Sequence, residues 1–172
     1  IAIAIQPLLG FNYGAKKIGR VKEALGLGIA VATAFSVLEW LAIMVFPEAI
    51  AGAFGIKDAA LAAFTAFALK VQFAVLPFVG FQIIGSNYFQ ATGQPAKSIF
   101  LTLTRQILFL VPLLFIMPHL LPAIAPQFDG LDALYFAAPV SDFLAVFTVG
   151  IFVLWELRRL RRMQKADRNA QL

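Results

Sequence analysis

Asn87-Tyr88-Phe89-Gln90-Ala91-Thr92-Gly93-Gln94-Pro95 closes a run of mostly apolar residues, 59–89, in which Lys70 is the only charge. At about 1.5 Å per residue, a helix of that length exceeds the roughly 30 Å hydrocarbon core of a bilayer. Pro77 stands mid-run, with Gly80 and Gly85 after it. Proline removes a backbone donor and bends a helix. In lipid the freed carbonyl is tolerated only where protein or a cavity re-satisfies it. Beyond Pro77, Gln82, Ser86 and Gln90 recur every four residues and share a face. A polar stripe on a kinked spanning helix is expected to face other helices or water.

The rest of the chain fits that environment. It has 172 residues, 61% hydrophobic and 13% charged, with a mean hydropathy of +0.86. A soluble domain runs near 45–50% apolar and about 25% charged, so the composition indicates an all-α integral membrane bundle. With no cysteine, disulfides, thiolate metal sites and cysteine nucleophiles are excluded. The single histidine, His119, lies beside prolines in an expected loop and cannot complete a metal site alone. No metal or organic cofactor is expected. Without an Asp-rich motif, a histidine pair or a serine elbow, a membrane-embedded enzyme is disfavoured. The chain opens on Ile1 inside an apolar run, with no signal peptide. It reads as a piece of a longer protein, cut within a membrane helix.

In order, residues 1–9 look like the last turns of a helix, ended by Gly10-Phe11-Asn12-Tyr13-Gly14-Ala15. Residues 24–46 form a span stopped by Pro47, and 48–58 a loop. The kinked helix 59–91 follows, then a tight turn at 92–96. Residues 97–117 make the next span, with Pro112 a second kink. Residues 118–132, with three prolines, read as a loop, and 133–157 as the last span. The expected architecture is four full spans plus the end of a fifth, residues 1–157. A basic tail, 158–172, prolongs the last helix and frays.

Sorting loops alternately puts Lys16, Lys17, Arg20, Lys22, Lys97, Arg158, Arg159, Arg161, Arg162, Lys165 and Arg168 on one side, and Lys57 alone on the other. The positive-inside rule makes the first side cytoplasmic, C-terminus included. Tyr13, Tyr88 and Trp155 then fall near the inner interface, and Trp40 and Tyr135 near the outer one. The basic tail reads as a topology signal in contact with anionic lipid, not as a nucleic-acid-binding module.

Glu39, Lys70, Arg105 and Asp142 each lie within a span. A charge at the bilayer centre costs at least about 2.5–3.5 kcal/mol on insertion scales, so each needs a partner, water or a function. Counting from the outer surface, Glu39 lies roughly 10 Å deep, Asp142 about 14 Å, Lys70 about 16 Å and Arg105 about 18 Å. By depth, Lys70–Asp142 is the best-matched pair, then Arg105–Asp142 and Glu39–Lys70. Two readings stay open: structural ion pairs between helices, or a water-accessible pathway for substrate or a coupling ion. The candidate polar set is Glu39, Lys70, Gln72, Gln82, Ser86, Arg105 and Asp142.

Three segments together resemble the MATE (multidrug and toxic compound extrusion) exporters. Gln6-Pro7-Leu8-Leu9-Gly10-Phe11-Asn12-Tyr13-Gly14-Ala15 with Arg20 looks like the end of their eighth helix. Tyr88-Phe89-Gln90-Ala91-Thr92-Gly93-Gln94-Pro95 followed by Arg105-Gln106 looks like their tenth-to-eleventh helix turn, and Ala138-Pro139-Val140-Ser141-Asp142 like their twelfth helix. The motif positions are Gln6, Pro7, Asn12, Tyr13, Gly14, Gln90, Gly93, Pro95, Pro139 and Asp142. The resemblance implies most of the C-terminal lobe of a twelve-helix, two-lobe antiporter in the bacterial inner membrane. Such a protein exports small cationic or amphipathic drugs in exchange for H+ or Na+ by alternating access, partnered by the N-terminal lobe and the lipid bilayer. A lipid flippase or a non-transporting scaffold of the wider superfamily is the alternative. The stretch matching the tenth helix carries Lys70 and no acid, so the coupling acid is expected elsewhere in the protein.

Overall fold

The computed structural model describes the backbone of residues 1–56 and 58–169, and the side chains of all of these except Leu131 and 166–169. Among the described residues the secondary structure is helical: α1 Ala2–Gly14, α2 Ile18–Val45, α3 Pro47–Ala53, α4 Ala59–Gln72, α5 Leu76–Ala91, α6 Pro95–Leu103, a π-helical segment Thr104–Leu110, α7 Val111–Ile124 and α8 Gly130–Asn169. Three continuous stretches are long and apolar enough to cross a membrane: Ile18–Val45, Pro95–Ile124 and Asp132–Lys165. They make four if α4 and α5, bent by 44° at a short break, count as one span.

Several boundaries differ from the sequence reading, each for a local reason. Helix α1 runs through the expected Gly10–Gly14 turn, because Asn12 turns its amide back onto the Leu8 carbonyl at 2.8 Å and stays in register. The left-handed residue that ends it is Lys16, at φ 56°, rather than a glycine. Within the expected 48–58 loop, Pro47 starts the short helix α3, its preset φ suiting a first turn. The expected 118–132 loop is helical as far as Ile124, with Pro118 and Pro122 inside α7 and His119 held at 3.1 Å from the Phe115 carbonyl. The last helix, α8, runs on past 157 as read, and its tail is packed: Leu160 is buried, and Lys22 Nζ donates to Gln164 Oε1 at 2.6 Å. Lys57 and residues 170–172, parts of the expected outer loop and tail, lie outside the described residues.

At Pro77 the expected bend is present, as a break between α4 and α5 that turns the axis by 44°. Residues 73–75 form a turn and Pro77 sits in the first turn of α5. The Phe73 carbonyl, which proline would leave free, accepts the Leu76 amide at 3.0 Å. The second kink site takes a different form. The helix widens to π geometry over Thr104–Leu110, just ahead of Pro112, where the ring would meet the carbonyl four residues back.

Leu9, Val21, Ile84, Tyr88, Phe89, Leu101, Val149, Val153 and Leu160 form one buried cluster. It lies where the end of α1, the start of α2, the α5–α6 turn and the last half of α8 meet. Helices α2 and α5 make the most extensive contact. At Gly80 a Cβ would stand 2.6 Å from the Ala32 carbonyl, so only glycine allows that approach. Toward the other end α7 has no buried residue, as suits side chains that meet lipid.

Candidate functional site

Two neighbouring residues of α8 hold one residue of the π segment. Ser141 Oγ donates to the Arg105 carbonyl at 2.9 Å, and Arg105 Nε lies 2.6 Å from Asp142 Oδ1. Ser141 is buried, Asp142 keeps 15% of its side-chain exposure and Arg105 41%. The serine satisfies a carbonyl where the helix is irregular, and the charge-assisted contact fixes the guanidinium. The depth ranking placed Lys70 first as partner of Asp142; the structure gives that role to Arg105. Depth sets height within a helix and says nothing about the direction a side chain takes round its axis. Asp142 turns toward the π segment.

Lys70, in the last turn of α4, is exposed and has no ion-pair partner among the described residues. It lines a hollow of about 520 Å³ with Phe67, Ala74, Val75, Phe136 and Phe143. Ala74 and Val75 belong to the break between α4 and α5, and Pro139 and Val140, just before Ser141 and Asp142, close the far wall. Gln72 lines a second hollow, of about 540 Å³, with Phe64, Leu110, Leu134 and Tyr135.

The remaining polar candidates lie apart from that group. Glu39 is exposed on α2. The Gln82–Ser86–Gln90 stripe does not share one environment. Gln82 is buried with its Oε1 unpaired, Ser86 Oγ is 3.4 Å from Ser98 Oγ on α6, and Gln90 is exposed. The stripe advances about 40° per four residues, enough to move its ends out of a narrow seam.

Motif positions serve mainly as joints. Gln6 Nε2 donates to Asn87 Oδ1 at 3.2 Å, tying α1 to α5. Tyr13 packs against the core, and Pro7 and Gly14 are exposed on α1. Thr92 Oγ1 returns to the Tyr88 carbonyl at 2.9 Å, Gly93 takes φ +74°, and Pro95 opens α6. Pro139 is buried within α8.

Sequence reasoning does not reach Glu156. It is 4% exposed, and four side chains converge on it: Arg159 at 3.3 Å, Gln94 at 3.4 Å, Tyr88 at 3.5 Å and Lys97 at 3.9 Å. Lys97 also donates to Gln94 at 2.6 Å and stands 5.4 Å from the Phe89 ring centroid. The Tyr88–Pro95 motif therefore clamps the α5–α6 turn onto α8. The available signal was an acid placed three residues before Arg159 in an otherwise basic stretch.

Residues 1–116 match the MatE family model. The chain belongs to the MatE family. A FAD transporter of Shewanella oneidensis (strain MR-1) is 25% identical over 144 residues, 84% of this MatE chain and 30% of that protein. A multidrug resistance MATE family transporter of the MOP superfamily, solved inward-facing, superposes with a TM-score of 0.78 at 21% identity, over 95% of this chain and 36% of its own. A multidrug resistance MATE family transporter of the MOP superfamily solved outward-facing gives 0.77 at 22% identity, over 95% of this chain and 35% of its own. This MatE chain thus spans about a third of the length of the relatives it matches, and shares their helical membrane fold.

Proposed function

We propose that the protein to which this chain belongs is a secondary exporter of small amphipathic organic molecules. It exchanges them for protons or sodium ions, with this chain forming most of the C-terminal lobe and the basic ends facing the cytoplasm of a bacterial inner membrane. The observation that carries the reading is the hollow at the α4–α5 break. Its volume of about 520 Å³ falls within the 300–1,000 Å³ range of small-ligand sites. Phe67, Phe136 and Phe143 supply apolar faces, and a broken helix at its wall suits a carrier that rearranges around bound substrate. The near-equal likeness to inward- and outward-facing relatives supports a lobe segment that moves as a unit. Because Asp142 is tied to Arg105, it serves as a structural partner and not as the coupling acid.

A second reading differs in substrate charge. Lys70 is the charged residue lining this hollow, and a relative carries FAD. A cation among aromatic rings favours a planar anion over an organic cation. Reconstitution of the full-length protein into proteoliposomes tests both. Ethidium movement driven by a proton or sodium gradient supports drug exchange, and FAD movement supports the anionic reading. Movement of neither under either gradient rejects export.

A further inference from the structure

We propose that the outward face of α8 binds one anionic phospholipid, with its phosphate on Arg158 and Arg162 and an acyl chain in the groove between α5 and α8. Two features, whose linings meet along the chain at Leu154 and Trp155, carry this. The first is an apolar groove of about 400 Å³, lined by Phe78, Phe81, Phe143, Phe147, Ile151 and Leu154. The second is a hollow of about 350 Å³ at its basic end, lined by Trp155, Arg158, Arg159 and Arg162. Phe147, Ile151, Leu154, Arg158 and Arg162 follow at spacings of three and four residues, so one stripe of the helix passes from apolar to cationic.

The dimensions fit a lipid in one leaflet. From Phe143 to Leu154 the helix rises about 16 Å, against roughly 15 Å for half of a 30 Å hydrocarbon core. Trp155, 73% exposed, stands where groove and hollow meet, the level at which tryptophan settles in bilayers. Arg159 is engaged by Glu156 at 3.3 Å. Arg158 and Arg162 have no hydrogen-bond or ion-pair partner among the described residues. Two arginines one helical turn apart on one hollow suit a phosphate, which accepts paired N–H bonds.

Other occupants satisfy only half of the face. A free phosphate would use the arginines and leave the groove empty. A helix from elsewhere in the protein would fill the groove and leave the arginines without anions. An anionic phospholipid meets both, and this holds whatever solute the protein carries.

The test uses the full-length protein in detergent with dioleoyl phosphatidylglycerol and dioleoyl phosphatidylcholine as probes, retained lipid being counted by native mass spectrometry. The expected result is selective retention of phosphatidylglycerol, falling about 25-fold in Arg158→Gln with Arg162→Gln, at roughly fivefold per arginine. Gly150→Leu places a side chain in the groove, where its Cβ meets Phe81 only at 3.9 Å. It should lower retention severalfold with both arginines intact. Equal retention in the wild type and the arginine variant overturns the proposal. Displacement by inorganic phosphate together with indifference to Gly150→Leu also overturns it, in favour of a free-phosphate site. Loss of folded protein in Gly150→Leu with no change in lipid retained per folded molecule overturns it in favour of a groove closed by another helix.

Discussion

Arg105 Nε and Asp142 Oδ1 lie 2.6 Å apart, joining the π segment to α8, while the hydroxyl of Ser141 holds the Arg105 carbonyl from the same side. The pair neutralises two of the four charges assigned to the spans and pins an irregular stretch of backbone.

Breaking that pair should therefore cost stability. Asp142→Asn strands the guanidinium, at on the order of 2–3 kcal/mol; a fully buried pair costs about 3–5, and Arg105 here is 41% exposed. Arg105→Gln combined with Asp142→Asn should recover part of the loss. Thermal unfolding of the purified full-length protein measures both. Wild-type stability in Asp142→Asn alone would remove the pair from the structural account.

Glu156 should be the more sensitive residue at the opposite end of the bundle. Glu156→Ala leaves Tyr88, Gln94, Lys97 and Arg159 around an empty acceptor and should destabilise by about 2–3 kcal/mol. Lys97→Ala removes a 3.9 Å contact from a side chain 37% exposed and should cost less than about 1 kcal/mol. If the two variants unfold at the same temperature, Glu156 is not the centre of the clamp.

The α2–α5 crossing predicts a contrast between two glycines. Gly80→Ala forces a methyl against the Ala32 backbone, an overpacking cost of about 1–3 kcal/mol. Gly14→Ala meets nothing within 4 Å and should be neutral or slightly stabilising, by up to about 1 kcal/mol. Folded yield by size-exclusion chromatography separates them. Equal yields would mean that the two helices part easily at Gly80.

Orientation can be read on a background free of native cysteine in this chain. Lys17→Cys, at the basic end, should resist an impermeant thiol reagent in whole cells. Gln127→Cys, in the exposed loop after α7, should react. The reverse pattern would invert the topology.

How much was legible beforehand depended on the range of the interaction involved. Spans follow from apolar run length, which is local, and the break near Pro77 follows from a missing amide. The helix ends were less legible. Asn12 reads as a turn residue, yet it is held inside α1 by its own i−4 hydrogen bond, while Pro47 stops α2 as read and also starts α3. Pro118 and Pro122 read as loop residues, yet α7 carries both within it. Glu156 escaped notice because its partners Tyr88, Gln94 and Lys97 lie about sixty to seventy positions away in the chain.

By itself the sequence determined that this chain is a helical membrane protein and which motifs mark its family, since hydropathy and motif spacing are properties of neighbouring residues. Tertiary structure alone decided that Asp142 meets Arg105 and not Lys70, and that the Tyr88–Pro95 turn closes on Glu156. It also decided that Lys70 faces an aromatic hollow. Each depends on the rotation of one helix against another, which side-chain packing sets and a linear pattern does not encode.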